Sequence, residues 1–303
     1  MKILITGSNG LLGQKLVYLL AGRPDVDLIA TSKGPNRISR KDGYRYVSLD
    51  ITSRDEVLQI VGSENPDCII NTAAMTNVDA CEKDPAACDK LNVDAVEYLI
   101  EAATPGKTHL VHLSTDFVFD GEQGPYSETD APNPLSYYAH SKLKSEQLVL
   151  ESGLPAAIIR TIIIYGVVDD VQRSNLVLWT KSSLENKTHI NVITDQFRSP
   201  TLAEDLAEAC AAAAFRKATG IYHVCGPEED LDSIINLAYK VADYFGLDKS
   251  YIRPVTSAEL NQPAKRPPKT GFILSKARKD LGYKPHSFQE GMGVLQQQLL
   301  QKK

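Results

Sequence analysis

Three glycines at three-residue spacing sit between an apolar strand and an amphipathic helix at the start of this chain. Lys2-Ile3-Leu4-Ile5-Thr6 is rich in β-branched side chains, as expected of a parallel strand covered on both faces. It turns into Gly7-Ser8-Asn9-Gly10-Leu11-Leu12-Gly13, after which Leu12, Leu16, Leu19 and Leu20 mark a helix. Glycines let the backbone approach a pyrophosphate, and a helix N-terminus offers free N–H groups at the positive end of its dipole. The spacing is G-x-x-G-x-x-G rather than G-x-G-x-x-G. The turn alone is weak evidence. Its place between strand and helix makes it a dinucleotide signal.

Further strands are expected at Asp27 to Ala30, Tyr44 to Leu49, Cys68 to Asn71, Leu110 to Asp116 and Ala156 to Arg160. Helices fall between them. Ser53 with Glu56 reads as a capping box for a helix to Val61, and Pro85 to Ala103 as one continuous helix. The alternation predicts an α/β fold, a Rossmann-like doubly wound parallel sheet whose ligands sit at the carboxyl ends of the strands. Gly7, Asp50, Ala73 and Ser114 all fall at such ends. From about Thr161 the pattern loosens, with helices at Asn175 to Leu184, Leu202 to Ala214, Ser233 to Phe245, Ser275 to Leu281 and Phe288 to Leu300. Short strands fall at Thr188 to Val192 and Gly220 to Val224. Residues 1–160 thus read as a dinucleotide-binding domain. Residues 161–303 read as a smaller C-terminal substrate-binding lobe interleaved with the end of the sheet.

Tyr138 and Lys142 lie four residues apart, which on a helix stacks them on one face. An ammonium there is expected to favour the phenolate and lower a pKa near ~10. Such a tyrosine exchanges a proton with a substrate oxygen, and a hydroxyl from Ser114 or Thr115 can hold that oxygen. This is a carbonyl/alcohol site in need of a hydride carrier. Tyr137 lacks the lysine spacing, His140 points away on the helix, and His112 reads as a satisfied core histidine. No His, Cys, Asp or Glu cluster has metal-ligand spacing.

NAD-specific folds place an acid about 20 residues past the glycine turn. None of Leu28 to Lys41 is acidic; Thr31, Ser32, Lys33, Arg37, Arg40 and Lys41 stand there instead. They suit a 2′-phosphate, or form a solvated basic loop, and the residues leave both readings open. A net charge of -5 argues against nucleic acid. No apolar run approaches a membrane span. Five cysteines without a C-x-x-C pair suit reduced thiols, so a cytoplasmic protein is expected.

Several motifs resemble the extended short-chain dehydrogenase/reductases, and within them the dTDP-4-dehydrorhamnose reductase family. They are Gly7-x-x-Gly10-x-x-Gly13, Asn71-Thr72-Ala73-Ala74-Met75-Thr76-Asn77-Val78-Asp79-Ala80-Cys81-Glu82, Ser114-Thr115-Asp116-Phe117-Val118-Phe119-Asp120-Gly121 and Asn133-Pro134-Leu135-Ser136-Tyr137-Tyr138. Asp195-Gln196-Phe197-Arg198-Ser199-Pro200-Thr201 and Gly220-Ile221-Tyr222-His223 carry the likeness to nearly the whole chain. The resemblance implies reduction of a 4-keto-6-deoxy sugar nucleotide by NADPH, with NADH as the alternative cofactor. It implies Thr115, Tyr138 and Lys142 as the catalytic trio, and Tyr138 and Lys142 also as cofactor neighbours. Gly10, Leu11, Leu12, Asp50, Ile51, Ala74 and Thr76 match cofactor contacts, beside Gly7, Ala73 and Lys33 from the strand ends and the basic loop. Asp116 matches a sugar contact. The chain departs from the family at Met75 and Phe117, where tyrosine is usual, and at Ala139, where glycine is usual. It departs also at Ile163, where an aromatic residue meets the sugar. The expected partner is a small sugar nucleotide, with neither nucleic acid nor membrane, and a homo-oligomer is compatible with the sequence. Two other functions compete: an epimerase or dehydratase of the same superfamily, and a non-catalytic nucleotide-binding regulatory subunit. The intact trio speaks against the second.

Overall fold

The computed structural model describes residues 1–169 and 175–301. Seven parallel strands make the central sheet: β1 (Lys2–Thr6), β2 (Asp27–Ser32), β3 (Arg45–Ser48), β4 (Cys68–Asn71), β5 (His109–Thr115), β6 (Ala156–Thr161) and β7 (Gly220–Val224). Their order across the sheet is β7-β6-β5-β4-β1-β2-β3. That is the doubly wound order, reversing direction between β1 and β4, where such sheets open a crevice at their carboxyl ends.

Strand periodicity explains why helices cover both faces. Ile3, Ile5, Ile70, Val111 and Ile159 point into one apolar layer, while Leu4, Ile69, Leu110 and Ile158 point into the other. The first layer is closed by Leu12, Leu16 and Leu20 of α1 (Leu11–Leu20) and by Leu206 and Cys210 near the sheet's far end. The second is closed by Val57 and Val61 of α2 (Arg54–Glu64) and by Val96 and Leu99. Each such fully buried aliphatic side chain stabilises by about 1.5–3 kcal/mol. Truncating Leu4 or Ile69 to alanine would cost about 2–5 kcal/mol, because both sites are enclosed.

Two helical expectations are corrected. Ser53 caps α2 with its backbone but makes no side-chain cap bond, and Glu56 instead accepts from Asp50 N at 3.0 Å. The stretch expected as one helix from Pro85 is three pieces: α4 (Pro85–Asp89), a π-helical turn (Lys90–Asp94) and α5 (Ala95–Ala102), preceded by α3 (Val78–Lys83). Asp84 caps α4 by accepting from Ala87 N at 3.0 Å, and Pro85 occupies the first turn, where its missing N–H costs nothing. The π turn brings Asn92 inward, and it is buried.

Beyond β6 lie α6's successors α7 (Leu176–Glu185), α8 (Ala203–Arg216) and α9 (Ile234–Phe245), α6 itself being Tyr137–Glu151. β7 and α8 join the main sheet and its first layer, so the second half of the chain helps build the first half's core. Ile190–Ile193 pairs in parallel with Ile252–Val255, two residues later than the expected strand start, because Lys187 turns the chain at a φ of +53°. Phe197–Arg198 lies between Asp232–Ser233 and Lys269–Thr270. Among the described residues no helix is long and apolar enough to cross a membrane.

Candidate active site

The glycine turn is compact because nothing larger fits. Gly7 has a φ of +68°, and a Cβ there would approach Ala73 N to 2.8 Å; one on Gly13 would reach 2.3 Å from the Gly7 carbonyl oxygen. Gly10 is the N-cap of α1 and supplies no capping side chain, leaving the first helical N–H groups turned toward the crevice. Asn9 ties the basic loop to this turn, donating to Pro35 O and accepting from Arg37 N, both at 2.9 Å. Lys33 Nζ contacts Asp50 Oδ2 at 2.6 Å.

β5 delivers the next group. The Thr115 hydroxyl donates to Asp116 Oδ1 at 3.2 Å and accepts from Phe117 N. Asp116 Oδ2 takes a short hydrogen bond from Thr270 and lies 3.3 Å from Arg198 Nε. Arg198 is fully buried and spends its remaining donors on the carbonyls of Phe197, Pro267 and Pro268. Burial pushes the Asp116 carboxyl up while Arg198 holds it back. Both carboxylate oxygens of the residue matched to a sugar contact are thus already engaged within the protein.

α6 brings the phenol and the amine. Ser136 caps it through a bond accepted from Ala139 N, and both Tyr138 and Lys142 are buried. The expected lowering of the phenol is not what the structure shows. Burial raises the Tyr138 pKa well above its ordinary value, and the hydrogen bond with Thr115 offsets only part of this. Lys142 Nζ lies instead 3.3 Å from His112 Nε2, and burial brings the amine down to about 8. His112 is the satisfied buried histidine expected, and its pKa is far lowered by burial. His140 is exposed.

These pieces meet in a cavity of about 370 Å³. Gly10, Leu11, Leu12, Ala74 and Thr76 line one side, and Thr115, Asp116, Tyr138, Lys142 and Ile163 the other. Gly7 and Ala73 are not part of that lining, and they sit so close together that a Cβ on Gly7 would come within 2.8 Å of Ala73 N. Ile51 packs its side chain into the second apolar layer, and Lys33 and Asp50 pair with each other outside the cavity lining. A larger cavity of about 510 Å³ opens between α1, α8 and Gln298, but holds none of the trio. The lining suits a dinucleotide in kind: the uncapped helix end contributes to it, and among the described residues the Ser114 hydroxyl on its wall is buried without a partner.

The residue types alone did not reveal Asn92 or Arg198. Asn92 donates to Met75 O at 3.1 Å and Ser141 Oγ at 3.0 Å and accepts from Met75 N at 2.8 Å, joining the β4 strand-end loop to α6. An amide between Leu91 and Val93 at inward helical positions was the available signal. Arg198 stands in the motif Asp195 to Thr201 that carries the resemblance, but its pairing with the remote Asp116 could not be read there.

Fold and cavity together define an α/β protein of the Rossmann-like, dinucleotide-binding class. The chain belongs to the family described as the RmlD substrate binding domain, whose model matches residues 1–300. It is 31% identical to the dTDP-4-dehydrorhamnose reductase of Aggregatibacter actinomycetemcomitans, over 96% of this chain and 97% of the relative. It is 32% identical to methionine adenosyltransferase 2 subunit beta of Bos taurus, over 85% of this chain and 76% of that one. Among solved structures it is similar to the dTDP-4-dehydrorhamnose reductase of Bacillus anthracis in complex with NADP, with a TM-score of 0.81 and 28% identity. That match covers 97% of this chain and 98% of the other.

Proposed function

We propose that this protein reduces a 4-keto-6-deoxy sugar nucleotide, with NADPH as the hydride source and Tyr138 as the proton donor. The observation that carries this is one cavity holding the glycine turn at one end and Thr115, Tyr138 and Lys142 at the other. The N–H groups of Leu11 and Leu12 would receive the pyrophosphate, and Ala74, Thr76 and Ser114 would border the nicotinamide riboside. When bound, the cofactor supplies the hydride. Burial keeps the Tyr138 phenol protonated at neutral pH, which suits an acid that must deliver its proton to the carbonyl oxygen as negative charge develops there. Thr115 donates a second hydrogen bond to the same oxygen, giving up its weak contact with Asp116. Lys142, poised near neutrality by burial, stabilises the phenolate left behind and returns a proton to it. Residues 161–303 supply Ile163 and, through Arg198 and Thr270, the support behind Asp116, and act as the substrate side.

The similarity to methionine adenosyltransferase 2 subunit beta, a subunit by its name, favours a second reading, a nucleotide-binding regulatory subunit without turnover of its own. One experiment separates the two. NADPH oxidation is followed against a panel of keto-sugar nucleotides beginning with dTDP-4-dehydrorhamnose. Turnover is expected, with Tyr138→Phe lowering kcat by at least ~10²-fold, typical of losing a positioned acid, while cofactor affinity stays nearly constant. No oxidation with any member, despite cofactor binding, would leave the regulatory reading standing.

A further inference from the structure

Thr6, Asn71 and His112 stand side by side in register on β1, β4 and β5, and all three are buried. Their side chains form one hydrogen-bonded row. The Thr6 hydroxyl lies 2.5 Å from Asn71 Oδ1, and Asn71 Nδ2 lies 3.1 Å from His112 Nδ1. The other ring nitrogen of His112 is 3.0 Å from Ser145 Oγ and 3.3 Å from Lys142 Nζ. Ser145 in turn donates to the Lys142 carbonyl at 2.7 Å. Among the described residues, Nζ has no hydrogen-bond partner other than this imidazole. The reduction described above makes no use of it.

A neutral imidazole has one N–H and one lone pair, and either nitrogen can carry the proton. A lysine ammonium needs an acceptor, whereas a neutral amine offers a lone pair and needs a donor. His112 serves both. With the proton on Nδ1, donated to the Asn71 amide in its turned-over orientation, Nε2 accepts from the ammonium. With the proton on Nε2, it donates to Ser145 Oγ or to the neutral amine. The Thr6 hydroxyl, as donor or acceptor, tolerates either amide orientation.

We propose that His112 is the positioning residue of Lys142, holding the amine against the cavity and exchanging tautomer as the lysine gains or loses its proton. The proposal rests on the reading that Lys142 serves the reduction, but its geometry stands apart from the choice of sugar. The groups facing Lys142 are His112 from β5, Tyr138 and Glu146 from its own helix, and Cys88 from α4. Glu146 is committed to Arg160 of β6 through a buried pair at 2.7 Å. Burial holds the His112 pKa well down, so the imidazole meets a change of charge on Lys142 as a neutral ring.

Nitrogen NMR of the full chain, labelled at histidine and lysine and titrated without substrate, tests this directly. His112 Nε2 should be unprotonated while Lys142 is charged and should become Nε2–H with the same midpoint as the lysine. An Nε2–H tautomer at every pH would overturn the proposal, and this measurement needs no variant. In His112→Leu the ammonium loses its acceptor, so the Lys142 midpoint should move down by about one pH unit. His112→Gln, whose amide oxygen accepts, should restore at least half of that shift. An unmoved midpoint in His112→Leu would also overturn it. Inactivity toward every sugar, with these titrations as expected, would refute the proposed reaction and leave His112 in place.

Discussion

At Ile163, the position the resemblance matches to a sugar-facing aromatic residue, the cavity wall is aliphatic. An aromatic ring stacks on a sugar, and a branched aliphatic chain cannot reproduce that contact. A contact made equally in ground and transition states changes KM and leaves kcat alone. The expected outcome is a raised KM for dTDP-4-dehydrorhamnose that Ile163→Trp lowers, read by steady-state kinetics. A low KM in the unmodified protein that Ile163→Trp worsens would show that this wall meets the sugar differently. Arg198 poses a separate question of stability. Arg198→Leu leaves the buried Asp116 carboxylate without its cation, which should cost about 3–5 kcal/mol in urea unfolding. Adding Asp116→Asn should recover part of the loss, because the uncompensated charge is then gone. Equal stabilities for Arg198→Leu and the unmodified chain would show that the pair contributes nothing.

Among the elements, the basic loop after β2 keeps both readings its residues left open. Asn9 fastens it to the glycine turn, while Lys33, Arg37 and Lys41 remain exposed. Lys33, however, is paired with Asp50. A 2′-phosphate would have to win that ammonium from a carboxylate, offering charge-assisted hydrogen bonds in exchange. NADPH is therefore expected to bind more tightly than NADH, with the ratio narrowed by Lys33→Ala in a fluorescence titration. Equal dissociation constants in the unmodified chain would make the loop a surface feature only. The helical region after β4 shows where element reading stops. Proline and aspartate at Asp84-Pro85 are a start signal readable in the residues, yet the π turn that buries Asn92 depends on Met75 and Ser141, which only packing brings near.

For the molecule as a whole, histidines set how stability follows pH. His286 contacts Asp205 Oδ1 at 2.6 Å, joining the segment before the last helix to α8. Burial raises the Asp205 carboxyl even as His286 opposes it, and the hydrogen bond with Asp205 raises His286. A raised folded pKa gives stability that is fully present below the unfolded value of about 6.5 and lost as pH rises through the folded value. The Tm advantage of the unmodified chain over His286→Ala should therefore shrink as the pH rises above about 6.5. A constant difference would exclude the charged pair. His223 has the opposite sign: burial lowers it to about 3, so its contribution holds above about pH 6.5 and fades as the pH falls.

The sequence by itself determined the doubly wound sheet, the glycine turn and the helix that carries Tyr138 and Lys142. These depend on periodicities of two and 3.6 and on spacings of three or four residues, which local backbone geometry reads directly. Tertiary structure decided the partners. Lys142 on α6 faces His112 of β5, and burial rather than a neighbouring charge sets the Tyr138 phenol. Asp116 is held by Arg198 and Thr270, 154 residues further along for the latter. Desolvation and long-range pairing exist only once the chain has closed around these groups, so residue order alone could not express them.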